Sequence, residues 1–391
     1  MASNILITGA LGFLGNFFVK ELLRREPEAQ LYLLVRDKGL DTAEGRVHAA
    51  GFMTPNVTVI PGDVTDPDLV EKCCGAGVSP VNHRQDAHAT LPPMDEIWHI
   101  AGLTTFNEKK ADQLVSVNIH GTTNMILLAE RLGCRKFFHI STAYVAGRCD
   151  GPVLEDELVR NPSFRNSYER TKYYGERLVR DSGLPWVIIR PSIIVGHSQT
   201  GEAESDKMVY GVVRCYHTLA SWLERNVHDH NGRRPKLRYV VRADYDVAKN
   251  LICVDDCVRI MLAARERGAL RRTYHACHHQ TLDTGAEHQI MCRILGIDYL
   301  KIDPSHDGTT DVVQKFIDRG LRVFEPYMLH SDPIFDLSNT RALGGYELHP
   351  MDAERFTFLV KCYVENLRER EDTVLQRLDA YLERSQLAAV H

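Results

Sequence analysis

The segment that most constrains the fold is Thr8-Gly9-Ala10-Leu11-Gly12-Phe13-Leu14-Gly15, which follows an apolar run at 4–8 and opens a helical stretch at about 14–25. Glycines at this spacing, between a strand and a helix, each have a use. Gly9 takes the tight turn, Gly12 lets backbone approach a diphosphate, and Gly15 lets the helix lie close on the strand. Thr8 closes the strand beneath them. The helix start, at Phe13 and Leu14, offers N–H groups and the positive end of its dipole to an anion. A dinucleotide is the ligand that uses all of these features.

The same alternation continues down the chain. Strands are predicted at 30–36, 57–61, 96–101, 136–141 and 185–190, with helices at about 111–132 and 167–181 between them. Runs such as Gln30-Leu31-Tyr32-Leu33-Leu34-Val35 are apolar throughout, as expected where helices cover both faces of a parallel sheet. The predicted architecture is therefore α/β, a doubly wound parallel sheet. The rhythm breaks twice, in the polar stretch 75–95, which reads as a long surface loop, and after about 195. Beyond that point come a helical stretch at 205–225, a polar turn at Asp229-Asn231-Gly232, a strand at 251–254, a helix at 255–266 and a short strand at 273–277. The domain reading is a nucleotide-binding domain of 1–196 plus about 245–270. A smaller, interleaved substrate-binding region takes 197–244 and 271–391. In the tail, Phe356, Leu359, Val360, Tyr363, Val364 and Leu367 mark one apolar helix face, for packing on its own domain or on a partner.

Composition excludes several classes. With 47 Lys+Arg against 52 Asp+Glu the net charge is −5, and no block of like charge stands out, so nucleic acid is not an expected partner. A hydrophobic content of 44% supplies a core and argues against disorder. No stretch reaches the roughly 18 apolar residues of a membrane span, and the N-terminus lacks a signal-peptide pattern. A cytoplasmic protein with no integral membrane segment is expected. Ten scattered cysteines without C-x-x-C pairs read as reduced, buried thiols.

The end of the second strand informs on the cofactor. An NAD site usually has an acidic residue about 20 positions past the last glycine, holding the ribose hydroxyls. Here Arg36 stands there, and its planar fork of donors suits a 2′-phosphate, so NADP(H) is expected over NAD(H). Arg46 either adds a second charge, if the connection folds back, or is a solvated helix residue. Asp63-Val64, after the third strand, sits where an adenine would lie, although Asp63 could equally cap its own turn.

Tyr168-Glu169-Arg170-Thr171-Lys172 puts a phenol and an ammonium four residues apart on one helix face. A nearby cation lowers a phenol's pKa from about 10 toward neutrality and fits it for proton transfer. Upstream, at the end of the fifth strand, Ser141-Thr142-Ala143 supplies hydroxyls able to bond a substrate carbonyl. The sixth strand ends Arg190-Pro191-Ser192, a turn suited to hold a nicotinamide amide. Strand ends of a doubly wound sheet meet at one crevice, so these segments converge there.

With these motifs the sequence resembles the extended short-chain dehydrogenase/reductases, over roughly residues 4–270. Further motifs carry the resemblance: Gly62-Asp63-Val64-Thr65-Asp66, His99-Ile100-Ala101-Gly102 and Val117-Asn118-Ile119-His120-Gly121-Thr122. It looks most like the thioester-reductase and fatty acyl-CoA reductase branch. The pointers are Leu34-Val35-Arg36, Thr104-Thr105-Phe106-Asn107-Glu108, His139-Ile140-Ser141-Thr142-Ala143-Tyr144-Val145 and Ile189-Arg190-Pro191-Ser192-Ile193-Ile194-Val195-Gly196. The resemblance implies a Rossmann-type sheet with Ala101, Pro191 and Ser192 lining the cofactor. It implies Tyr168 as general acid, Lys172 as its charged neighbour and ribose ligand, and Thr142 as the substrate-oxygen ligand. Ser141 is the second choice because its side chain points to the other side of the strand end. Asn118 either supports the site or bonds backbone inside its helix.

The implied activity is NADPH-dependent reduction of an acyl thioester, on coenzyme A or a carrier protein, to aldehyde or alcohol. A homodimer is the implied assembly. Two other readings stay open: a ketone/alcohol oxidoreductase or nucleotide-sugar epimerase or dehydratase, and a non-catalytic dinucleotide sensor or scaffold. No metal site is expected, since alternate residues of His275-Ala276-Cys277-His278-His279 would face opposite sides of a strand. Asp303-x-x-His306-Asp307 reads as a polar turn.

Overall fold

The apolar runs form the strands β1 (Asn4–Thr8), β2 (Gln30–Val35), β3 (Val57–Pro61), β4 (Glu96–His99), β5 (Lys136–Ile140), β6 (Trp186–Pro191) and β7 (Arg272–Ala276). All pair in parallel, in the order β7-β6-β5-β4-β1-β2-β3. The order reverses beside β1, and there the C-terminal ends of β1 and β4 leave the crevice in which such sheets bind ligands. The computed structural model describes residues 3–75, 91–149, 151–203, 207–226, 238–280, 282–308 and 311–369. Most of the predicted loop at 75–95 and the whole polar turn at Asp229-Asn231-Gly232 lie outside the described residues.

Helices cover the sheet: α1 (Phe13–Arg25), α2 (Ala43–Ala49), α3 (Leu69–Cys74), α4 (Ala111–Val115), α5 (Gly121–Arg131) and α6 (Ser167–Asp181). On one side, Phe18 of α1 packs on Trp98, whose ring stacks on Phe138 at 3.9 Å. α2 and α3 are too short to show a helical period in sequence, yet Thr42 caps α2 by accepting from the Gly45 amide. The single helix expected at 111–132 is interrupted by a π turn, Ser116–His120. Such turns insert a residue, lift side chains out of register and concentrate at functional sites.

The chain divides into two compact units. The first holds residues 1–192, 254–277 and 333–347, and the second 193–253, 278–332 and 348–391. Within the second, short strands pair two by two: Ile193–Val195 with Leu251–Cys253, Tyr239–Val241 with Leu300–Ile302, and Ala248–Lys249 with Leu282–Asp283. The tail helix Ala353–Glu369 buries the expected face, Phe356, Leu359, Val360, Tyr363, Val364 and Leu367, inside its own unit. Tyr363 lies 4.4 Å, centroid to centroid, from Tyr210 of the helix Val209–Asn226.

Candidate active site

The glycine loop is shaped as its sequence requires. Gly9 has φ +73°, and a Cβ on it would stand 2.6 Å from the Ala101 nitrogen. A Cβ on Gly15 would stand 2.1 Å from the Gly9 carbonyl. Both positions exclude any side chain. Gly12 donates to the Gly9 carbonyl at 3.0 Å, and α1 then starts at Phe13 with no side-chain cap and no acidic residue in its first turn. Its leading amides are therefore open to an anion. Leu14 is buried, and Phe13 stacks edge-on against Phe17 at 5.6 Å.

A buried chain of hydrogen bonds runs sideways from this loop. The Ala101 amide donates to Thr8 Oγ1 at 3.1 Å, and Thr8 Oγ1 meets His99 Nδ1 at 3.0 Å. His99 Nε2 meets Thr122 Oγ1 at 3.1 Å, and that hydroxyl donates to the Asn118 carbonyl at 2.8 Å. The two ends fix the direction, so His99 is the neutral Nε2–H tautomer. Burial agrees, pushing the His99 imidazole down to about 3.

At the end of β2 the Arg36 guanidinium pairs with Asp63 at 3.3 Å. Arg46 folds back and donates to the Arg36 carbonyl at 2.5 Å. Asp63 also closes its own turn, accepting from the Thr65 amide and hydroxyl, each at 2.9 Å. Val64 packs into the core, and its carbonyl accepts from Asn124 at 2.8 Å.

The candidate catalytic side chains meet where β5 and β6 end. The hydroxyls of Thr104 and Thr142 are the polar neighbours that favour the ionised form of the Tyr168 phenol. Thr142 in turn donates to the Pro191 carbonyl at 3.3 Å. Ring contact with Phe106, edge-on at 5.7 Å, further fixes the phenol. Lys172, one turn along α6, is buried and donates to the Ile140 carbonyl at 2.6 Å. Burial lowers its ammonium to about 8, against the pull of Glu176. The sequence suggested that Lys172 would lower the phenol. In this structure burial raises the Tyr168 pKa above its ordinary value, and only the two threonine hydroxyls act the other way. The phenol thus holds its proton, as an acid should.

Ser141 faces away from Tyr168, as alternation along the strand requires, and donates to Glu176 Oε2 at 2.7 Å. Glu176 also receives Arg190 at 2.6 and 3.0 Å and Arg180 at 2.8 Å. Burial alone would push this carboxyl up, but Arg190, Arg180 and Ser141 together hold it far below the usual carboxylate range. Ser192, 6% exposed, has a hydroxyl with no partner among the described residues. Such a group at the sheet's C-terminal end is suited to a cofactor amide or phosphate.

Asn118 works through both ends of its amide. Its Oδ1 accepts from the Leu103 amide at 2.8 Å, and its Nδ2 donates to the Leu103 carbonyl at 3.0 Å and to Thr171 at 3.1 Å. The π turn aims this side chain, and Gly175 lets α6 approach: a Cβ there would lie 2.5 Å from the Asn118 carbonyl. Thr104, His99, Glu108, Glu176 and Arg190 were not singled out as site residues in the sequence. Their motifs were visible, but their contacts join positions up to 91 residues apart and have no local signature.

Comparison with known proteins agrees with this geometry. Residues 7–261 match the NAD-binding family described as male sterility protein. Human fatty acyl-CoA reductase 1 is 27% identical over 292 residues, covering 67% of this chain and 54% of that protein. The chain spans about half the length of the curated relatives it matches. Among solved structures, the terminal R domain of the myxalamid PKS-NRPS biosynthetic pathway superposes with a TM-score of 0.71 at 22% identity, covering 94% of this chain and 91% of that one. A thiolation-reductase di-domain from an archaeal non-ribosomal peptide synthetase gives 0.66 at 16% identity, covering 95% and 76%. These structural likenesses establish the fold. With the family match spanning residues 7–261, about two thirds of the chain, the protein belongs to the NAD-binding family described as male sterility protein.

Proposed function

We propose that this chain is an NADPH-dependent reductase of an acyl thioester, carried on coenzyme A or a carrier protein, yielding an aldehyde or, after a second hydride, an alcohol. The observation that carries the reading is the meeting of Tyr168 and Thr142 where β5 ends, with Lys172 one turn away on α6 and held on the Ile140 carbonyl. Family membership and the likeness to reductase domains support the thioester as substrate class.

The residues fit a dinucleotide: the Gly9 and Gly15 cradle, the uncapped start of α1 and the unpartnered Ser192 hydroxyl would hold it. Its nicotinamide supplies the hydride. Thr142, its hydroxyl turned from the Pro191 carbonyl, and Tyr168 would grip the carbonyl oxygen, where negative charge grows as the carbon is reduced. Tyr168 gives that oxygen its proton, the hemithioacetal loses thiol, and an aldehyde is left. Lys172, held on the Ile140 carbonyl one turn away, would bind the ribose of the cofactor. Arg36 and Arg46 support a 2′-phosphate, since an ion pair as exposed as Arg36–Asp63 is worth only about 0–1 kcal/mol and is readily exchanged. Pairing of two copies belongs to the same reading, supported by exposed Leu127 on α5 and Tyr174 and Leu178 on α6.

The test follows NADPH, thiol and aldehyde together on a panel of acyl-CoA and acyl-pantetheine substrates, beside NADH. Equal NADPH loss and thiol release is expected for an aldehyde product, and doubled NADPH use for an alcohol. Silence on thioesters with turnover of ketones or nucleotide sugars would overturn the reading. Tyr168→Phe is expected to slow turnover by about 10²–10⁴-fold.

A further inference from the structure

A buried ion pair at the start of α6 has no part in the chemistry above. The side chains of Arg165 and Glu169 are 1% and 0% exposed. Arg165 stands two residues before the helix. Its Nη1 donates to Glu169 Oε1 at 3.2 Å, and its amide donates to Glu169 Oε2 at 2.9 Å. Asn166 caps the helix by accepting from the Glu169 amide at 3.0 Å. Glu169 follows directly on Tyr168, so these bonds close the first turn of α6 around the residue that bears the phenol.

The same guanidinium reaches away from the helix. Arg165 Nη1 donates to the Gly147 carbonyl at 3.0 Å, and the guanidinium carbon lies 5.9 Å from the centre of the Tyr144 ring. Tyr144 belongs to the 3₁₀ turn Ala143–Ala146, which Thr142 opens by accepting from the Tyr144 amide at 3.4 Å. Gly147 closes that turn, donating to the Tyr144 carbonyl at 3.0 Å. With φ +64°, and with the Ser163 carbonyl oxygen 2.7 Å from where a Cβ would stand, position 147 has no room for a side chain. One buried cation therefore spans the turn that Thr142 opens and the helical turn that carries Tyr168.

We propose that Arg165 is a positioning residue, which sets the placement of Tyr168 against Thr142 without touching substrate or cofactor. This rests on the function proposed above. The planar head of an arginine is rigid, so a shift of the turn at Gly147 is carried to Glu169 and to the start of α6. Burial removes the alternatives: the Glu169 carboxylate needs a cation, and the Gly147 carbonyl needs a donor. Two groups that must meet one substrate oxygen depend on such a brace, because an ångström of misplacement far from the chemistry costs about 100-fold in rate.

Arg165→Met alone would leave a buried carboxylate without its cation, so the experiment uses the double variant Arg165→Met/Glu169→Gln. It removes both charges, keeps an acceptor for the residue 165 amide and leaves Ser167 held by Glu108, whose carboxylate accepts from the Ser167 amide at 2.9 Å. Its kcat should fall by about 10- to 100-fold with KM for NADPH and for the thioester nearly unchanged. Arg165→Lys, whose ammonium has donors for both Gly147 and Glu169, should keep most of the rate. Independently of any substrate, carbon-13 NMR of ring-labelled tyrosine follows the Tyr168 ring, with Tyr168→Phe assigning the signal. The signal should move or broaden in the double variant and stay in place in Arg165→Lys. A double variant that turns over as fast as the unaltered protein, or whose Tyr168 signal stays in place, would overturn the assignment, even if it unfolds at lower urea. A moved Tyr168 signal in a protein whose unaltered form is silent on thioesters would uphold Arg165 and reject the thioester reading instead.

Discussion

On the proposed reading, Arg36 is the side chain that would set cofactor choice. It follows directly on β2, its carbonyl is held by Arg46, and its guanidinium rests on Asp63. Moving to a 2′-phosphate would exchange one solvent-exposed carboxylate for a group with more charge and more acceptors. Arg36→Ala should therefore raise the KM for NADPH by about 10- to 100-fold while leaving NADH nearly unchanged, measured by initial rates with each cofactor. Equal effects on both cofactors would remove Arg36 from the recognition of the phosphate. At the same scale, Lys172 and Tyr168 show why a spacing is not yet an electrostatic environment. Their four-residue separation was legible in the sequence, but the ammonium's choice of the Ile140 carbonyl was not, because it depends on how β5 and α6 pack.

Between elements, Glu176 joins α6 to β5 through Ser141 and to β6 through Arg190. Both Arg190 and Glu176 are almost wholly buried. Removing one charge of such a group leaves the other unpaired, so Glu176→Gln should destabilise the protein by about 3–5 kcal/mol in urea unfolding. A cost near that of a surface mutation would mean that water reaches Arg190. The elements themselves were largely readable. Strands such as Gln30–Val35 and Trp186–Pro191 announce themselves as apolar runs, and the glycine loop fixes the first turn. What escaped was short or irregular. α2 and α3 span seven and six residues, below two helical turns. The π turn at Ser116–His120 is also hidden, because the Leu103 backbone that Asn118 bonds lies 15 residues away in sequence. Thr142 and Tyr168 could be picked out by motif, whereas the clamp of Asn118 on both the amide and the carbonyl of Leu103 shows only in the folded chain.

At the scale of the whole chain, the first unit is assembled from three separate stretches, and the second likewise. The first unit gathers the late strand β7 onto the edge of the sheet, so its core closes only after residue 276 has been made. No helix among the described residues is long and apolar enough to cross a membrane. The chain of buried hydrogen bonds from Ala101 through Thr8, His99 and Thr122 to Asn118 reaches across this unit. It continues through the Asn118 side chain to Leu103 and Thr171. Opening any one link exposes a buried polar group with no other partner nearby, which costs about 1–3 kcal/mol. The phosphate loop and the connection carrying Thr104 should therefore open together, in one local unfolding event. Amide hydrogens of Ala101 and Leu103 would then exchange with solvent at a common free energy, and a dinucleotide seated on the glycines would slow exchange at Leu103 without touching it.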